Sequence, residues 1–206
     1  MKVLFINGSG HEDGTCARGF KEISDIFDAN EVTYDTYLVG NMMLNQCNGC
    51  GACAKLRACR YDDIVNEIGS KLEEYDAILV ASPVHYASSA GILQTLLDRL
   101  FYVYGRKMRG KVYAAFAAAR RAGTTATLDQ LYKYPLISGM LVPGSQYWNT
   151  IHGNSKEDVE QDLEGLQTLR TLANNMIYLM KLVKLGNENG VEYPTRERIT
   201  RTNFIR

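Results

Sequence analysis

Four cysteines fall within thirteen residues of a 206-residue chain: Cys47, Cys50, Cys53 and Cys59. The first three follow the C-x2-C-x2-C step used to ligate iron–sulfur clusters, and Cys59 comes after five intervening residues. Four thiolates on a tight, glycine-bearing loop can surround a [4Fe-4S] cubane. Two other chemistries suit the same residues. Four Cys also suit tetrahedral zinc, although two overlapping C-x2-C steps are tight for it. Free thiols on a substrate-side loop, inert or redox-active, are the third reading. The fifth cysteine, Cys16, stands apart from the set and is expected to line a different turn.

That turn is the second candidate for chemistry. Asn7-Gly-Ser-Gly-His-Glu-Asp-Gly-Thr-Cys-Ala17 joins a short apolar run to a helical pattern and carries hydroxyls at Ser9 and Thr15 beside glycines. A helix N-terminus offers unpaired N–H groups and the positive end of the macrodipole, which suits a phosphate. The loop matches neither G-x-x-x-x-G-K-[ST] nor G-x-G-x-x-G, so it is not the usual triphosphate or dinucleotide fingerprint. An ordinary turn with a capped helix is the alternative.

These loops need elements to hold them. Lys2 to Ile6 reads as a strand buried on both faces. Thr15 to Phe27 has helical spacing at Phe20, Ile23 and Phe27, and Glu31 to Leu38 alternates weakly, as an edge strand does. Residues 39 to 62 show no clear periodicity, and a loop of that length in a compact domain usually has a function. A helix is predicted from about Asp63. Ala77 to Ala81 is the most apolar strand and is expected at the centre, ended by Ser82-Pro83. Ser88 or Ser89 should cap the next helix, whose stripe is Leu93, Leu96, Leu97, Leu100, Phe101 and Tyr104. Lys111 to Ala119 is the fourth strand, Thr125 to Ile137 a helix, and Met140 to Tyr147 the fifth strand. A long helix spans about Lys156 to Leu185, followed by a tail at 186–206 that is locally basic from Arg196 to Arg206.

Five alternations of strand and helix predict a single domain, residues 1–206, of α/β class: a doubly wound five-stranded parallel sheet with helices on both faces. Ligands in such sheets bind beyond the carboxyl ends of the strands, at the topological switch point. The loops after the first, third and fourth strands are therefore the places to look. Bulk composition adds exclusions. Lys plus Arg number 23 and Asp plus Glu 23, so no net charge attracts nucleic acid or an anionic membrane. No segment approaches the ~18 apolar residues of a membrane helix, and no signal-peptide h-region precedes the first strand. The expected location is the cytoplasm, where thiols stay reduced.

The order of Asn7-Gly-Ser9, the cysteine loop, Ser82-Pro-Val84, a helix ending Leu97-Asp-Arg99, and Gly110-Lys111 resembles the NADPH-dependent FMN reductase family, close to its iron–sulfur flavoprotein branch. The resemblance runs from Met1 to the final helix. It implies a flavodoxin-like fold and FMN. The phosphate would lie on Ser9, Thr15, Cys16 and Ala17, with Pro83, Val84, His85 and Tyr86 along the isoalloxazine. The loop from Ala118 to Thr124, with Arg120, Arg121 and Gly123, would close over the ring's other edge. The two arginines would face the flavin's anionic edge or a nicotinamide cofactor's phosphate; two solvated cations are the plainer alternative. Gly10 stands where the family often has Pro, and Thr15-Cys16 where Asn-Thr or Cys-Thr is common.

In the iron–sulfur branch the cysteine set holds a cluster that feeds FMN. The resemblance thus implies an oxidoreductase passing electrons from NAD(P)H to a flavin, quinone or other small acceptor. The alternative is an electron carrier fed by a ferredoxin-like donor, with no small-molecule turnover. No side chain is expected to act as acid or base, because the cofactor carries the chemistry. Family members commonly form homodimers or homotetramers, and Gln146-Tyr-Trp-Asn149 is a candidate surface for such contacts.

Overall fold

A computed structural model describes residues 1–200 and 202. Its elements are β1 (Lys2–Asn7), α1 (Thr15–Asp28), β2 (Thr33–Leu38), α2 (Cys53–Leu56), α3 (Ile64–Lys71), β3 (Ala77–His85), β4 (Ser88–Ser89), α4 (Gly91–Met108), β5 (Val112–Ala119), α5 (Thr124–Ser138), β6 (Thr150–His152), α6 (Lys156–Val159) and α7 (Leu163–Glu188). Five strands run parallel in the order β2-β1-β3-β5-β6, and β4 pairs antiparallel with the end of β3. This is the flavodoxin-like order, with its switch point between β1 and β3.

Successive strand residues point to opposite faces, and the sequence supplies apolar residues for both. Val3, Phe5, Leu79, Ala114 and Phe116 pack with α1 and α7 on one face. Leu4, Ile6, Ile78, Val80 and Tyr113 pack with α3, α4 and α5 on the other. β2 lies at the edge and β3 at the centre, as the sequence pattern predicts.

Four boundaries differ from the sequence reading. Ser82-Pro83 does not end the central strand, which runs to His85. The Ala81 carbonyl accepts from Gly8 N–H, so Pro83, two residues on, turns its donor-less nitrogen to the side where β1 has already ended. Neither Ser88 nor Ser89 caps α4; they form β4, paired with His85 and Val84. The Ala90 N–H is taken instead by the buried Ser82 Oγ, at 2.9 Å.

Met140 to Tyr147 is not the fifth strand. It makes one bridge, Leu141 to Val112, then leaves the sheet at Pro143-Gly144, which cannot sustain a ladder. The fifth parallel strand is Thr150–His152, paired with Ala117–Ala119. The final helix is broken into α6 and α7, because Asp162 caps a new start through Gly165 N–H at 3.0 Å. Within residues 39–62, Cys53–Leu56 form one helical turn, closed by Arg57 in the left-handed region.

Candidate functional site

The carboxyl end of β1 turns sharply. Asn7 Oδ1 accepts from Ser9 N–H at 2.9 Å, and Ser9 Oγ accepts from His11 N–H at 3.1 Å. The turn is backed by Gly40, whose missing side chain lets the segment after β2 lie directly against the Ser9 and Gly10 backbone. Asn41 Nδ2 closes the contact on the Gly10 carbonyl at 2.6 Å. The chain then enters α1, whose N-cap is Gly14, with no side chain to cap the helix and no acid in the first turn. The free N–H groups of that terminus are left to a ligand or solvent.

In front of them lies a cavity of about 300 Å³, lined by Ser9, His11, Asp13, Gly14, Thr15, Pro83, His85 and the segment Asn154–Glu157. Four of the residues singled out in the sequence, Ser9, Thr15, Pro83 and His85, meet here. Cys16 does not line the turn with its side chain; the thiol is fully buried in the core beneath α1. Burial pushes it up to about 12, against a smaller lowering by the Thr15 hydroxyl. Ala17 is half-buried on the same helix.

The second loop is a hairpin. His85 pairs with Ser88, and Tyr86 at the tip is fully exposed with φ +52°. A bulky residue seldom adopts that conformation. Val84 packs on Gly123, which joins the second loop to the third. Ala118 is buried at the end of β5, whereas Arg120 and Arg121 are exposed and form no ion pair among the described residues. Val84, Tyr86, Ala118, Arg120, Arg121 and Gly123 thus border the carboxyl end of the sheet without lining the cavity.

The wall formed by Asn154–Glu157 was not foreseen. It follows the true last strand, and placing that strand at Met140–Tyr147 hid it. Ser155 and Asp158 form a capping box at the start of α6, and Lys156 pairs with Asp13 across the cavity mouth.

The four cysteines line a separate small pocket with Arg60, Tyr61, Arg99, Tyr102 and Val103. Cys47 and Cys50 are exposed, Cys53 and Cys59 half-buried, and all four are free thiols. The pocket holds about 20 Å³, roughly one water's worth of room. Among the described residues, no three His, Cys, Asp or Glu side chains converge as a metal-ligand set. The donors therefore suit a cluster in number and kind, but the loop must draw in around it. Gly49 and Gly51, at φ +68° and +69° with open space around them, allow such adjustment.

The sequence pattern gives the residue that organises this pocket no role beyond the Leu97-Asp-Arg99 motif, and α4 continues past that motif to Met108. Arg99 on α4 is only 1% exposed. It makes a bidentate pair with Asp63 at 2.7 and 3.0 Å and donates to Cys59 Sγ from Nε and Nη2 at 3.3 and 3.2 Å. Burial pulls the guanidinium pKa down, but the Asp63 carboxylate and Cys59 more than offset this, so it stays charged. A polar residue inside an otherwise apolar helix stripe was the available signal.

The NADPH-dependent FMN reductase family matches residues 1–155. The chain belongs to that family. An iron–sulfur flavoprotein of Methanocaldococcus jannaschii is 31% identical over 192 residues, covering 89% of this chain and 100% of that protein. An iron–sulfur flavoprotein of Methanosarcina thermophila is 27% identical, covering 91% of this chain and 100% of the relative. These relatives place the chain beside the iron–sulfur flavoprotein branch of this flavin-dependent oxidoreductase family. The structure of RosB with bound 8-demethyl-8-formylriboflavin-5'-phosphate superposes with a TM-score of 0.71 at 12% identity, covering 100% of this chain and 94% of RosB. That likeness is one of fold.

Proposed function

We propose that this chain is an FMN-dependent oxidoreductase that takes electrons from NAD(P)H and passes them to a flavin, quinone or other small acceptor. One observation carries the reading. The uncapped N-terminus of α1 opens into a cavity of about 300 Å³ at the switch point of a flavodoxin-like sheet, in a chain of the FMN reductase family. The backbone N–H groups of Thr15, Cys16 and Ala17, with the Ser9 and Thr15 hydroxyls, would hold the phosphate. Pro83, Val84 and His85 would flank the ring, and the exposed Arg120 and Arg121 would face the flavin's anionic edge or a nicotinamide cofactor's phosphate.

Bound FMN supplies the hydride and electron transfer; the protein supplies position and electrostatics. Gly40 and Asn41 fix the phosphate turn, the Ser82 hydroxyl fixes the base of the hairpin, and the Val84–Gly123 contact fixes the third loop. Cys47, Cys50, Cys53 and Cys59 would hold a [4Fe-4S] cluster, as the donor set and the iron–sulfur flavoprotein relatives support. That pocket favours a second reading, an electron carrier fed by a ferredoxin-like donor. Either role suits the reducing cytoplasm, and the assembly is proposed to be a homodimer or homotetramer on family grounds.

Anaerobic reconstitution with FMN, iron and sulfide tests both. Flavin retained by the chain and bleached on mixing with NADPH or NADH supports the enzyme. Bleaching only by a reduced ferredoxin supports the carrier. A chain that retains no FMN overturns both.

A further inference from the structure

We propose that Arg99 is a positioning residue for the cysteine pocket: its two N–H contacts hold Cys59 as the preplaced ligand and set the reduction potential of the cluster bound there. The inference rests on the cluster reading above. Its basis is an asymmetry among the four thiols. Cys59 is held at three points. Arg99 Nε and Nη2 donate to its sulfur at 3.3 and 3.2 Å, Asn66 Oδ1 accepts from its N–H at 2.8 Å, and Asn66 Nδ2 donates to its carbonyl at 2.9 Å. Asn66 is itself steadied by Tyr104 Oη, which donates to the same Oδ1 at 3.0 Å. Cys47 and Cys50, by contrast, are exposed. Cys50 has a local bond from its N–H to Asn48 Oδ1 at 3.3 Å, and the adjoining Gly49 and Gly51, both in the left-handed region, have open space where a side chain would stand.

The guanidinium is spent entirely on this loop. Beyond Cys59 and the Asp63 carboxylate, it donates to the carbonyls of Asn45 at 3.1 Å and Tyr61 at 3.4 Å and stacks 5.1 Å from the Tyr61 ring. One side chain thus ties together residues on both sides of the cysteines. A buried cation is costly unless paired, and Asp63 provides the pairing. A plain staple would need only that ion pair. Two donors on a ligand sulfur do more, because hydrogen bonds to cluster sulfurs favour the reduced, more negative state and raise the potential. Lysine cannot reproduce the fork.

The test uses the full chain, reconstituted anaerobically with FMN, ferrous iron and sulfide. Wild type is compared with Arg99→Lys, Arg99→Gln and the double variant Arg99→Gln/Asp63→Asn, which removes the buried cation together with its half-buried carboxylate partner and so leaves neither charge unpaired. Iron loss to a chelator and the midpoint potentials of cluster and flavin are measured. The expected result is about 10–100-fold easier iron loss in the Gln variants. Their cluster potential moves to more negative values, Arg99→Lys lies between, and FMN affinity and flavin potential stay unchanged. A double variant that binds FMN normally and keeps wild-type iron retention and cluster potential overturns the proposal. So does a wild-type chain that binds FMN but no iron, and that outcome also removes the cluster reading on which it rests.

Discussion

Val84 and Gly123 lock two loops of the candidate site together. Gly123 has φ +90°, and a Cβ built on it would lie 2.8 Å from Val84 Cγ1. The Val84 side chain, at the end of β3 where the hairpin begins, therefore packs directly on the Gly123 backbone of the loop after β5. The left-handed φ together with that contact calls for glycine. Gly123→Ala should cost about 1–3 kcal/mol through backbone strain, and the displaced hairpin should weaken FMN binding. Urea denaturation and FMN titration check this; an unchanged midpoint together with unchanged affinity sinks the idea.

Ser82 is a buried anchor. Its Oγ accepts from Ala90 N–H and donates to the Pro83 carbonyl at 2.8 Å. Ser82→Ala leaves a buried N–H without a partner, at a cost of about 1–3 kcal/mol. The expected outcome is a lower denaturation midpoint with faster amide exchange at Ala90. Wild-type protection at Ala90 would show that another group takes the bond.

The five thiols should separate cleanly by reactivity. Cys16, fully buried and pushed up to about 12 by that burial, carries almost no thiolate at neutral pH. Cys47 and Cys50 are exposed. Alkylation of the native, metal-free chain followed by peptide mass mapping should label Cys47 and Cys50 first and leave Cys16 unlabelled until denaturant is added. Early labelling of Cys16 would place it outside the core.

Alkali should unfold the chain through its tyrosines. Tyr75, Tyr104, Tyr113, Tyr132 and Tyr134 all have hydroxyls raised above the ordinary value of 10.0, with burial the first cause in each. Asp35 adds to the effect at Tyr75, and Asp98 at Tyr134. Folded values above unfolded ones give stability that is whole below pH ~10 and lost as pH climbs through the folded values. Denaturation midpoints should hold up to that pH and then fall, with phenolate absorbance rising in step with unfolding. A phenolate signal that completes at pH ~10 in the folded state would contradict it.

Local patterns along the chain specified most of the sheet. Apolar runs at Lys2–Ile6, Ala77–Ala81 and Lys111–Ala119, alternating with helical stripes, specify buried parallel strands, because strands covered by helices on both faces need apolar residues for both. The cysteine spacing and the Ser9 to Thr15 turn were legible because their chemistry is local to a few consecutive residues. Tertiary structure alone decided the rest. Whether Ser82-Pro83 ends a strand depends on where β1 stops beside it. Which short segment closes the sheet at Thr150–His152 depends on pairing with β5, and with it the Asn154–Glu157 wall. The partnership of Arg99 with Cys59 spans forty residues, and no local pattern encodes a hydrogen bond between a helix interior and a distant loop.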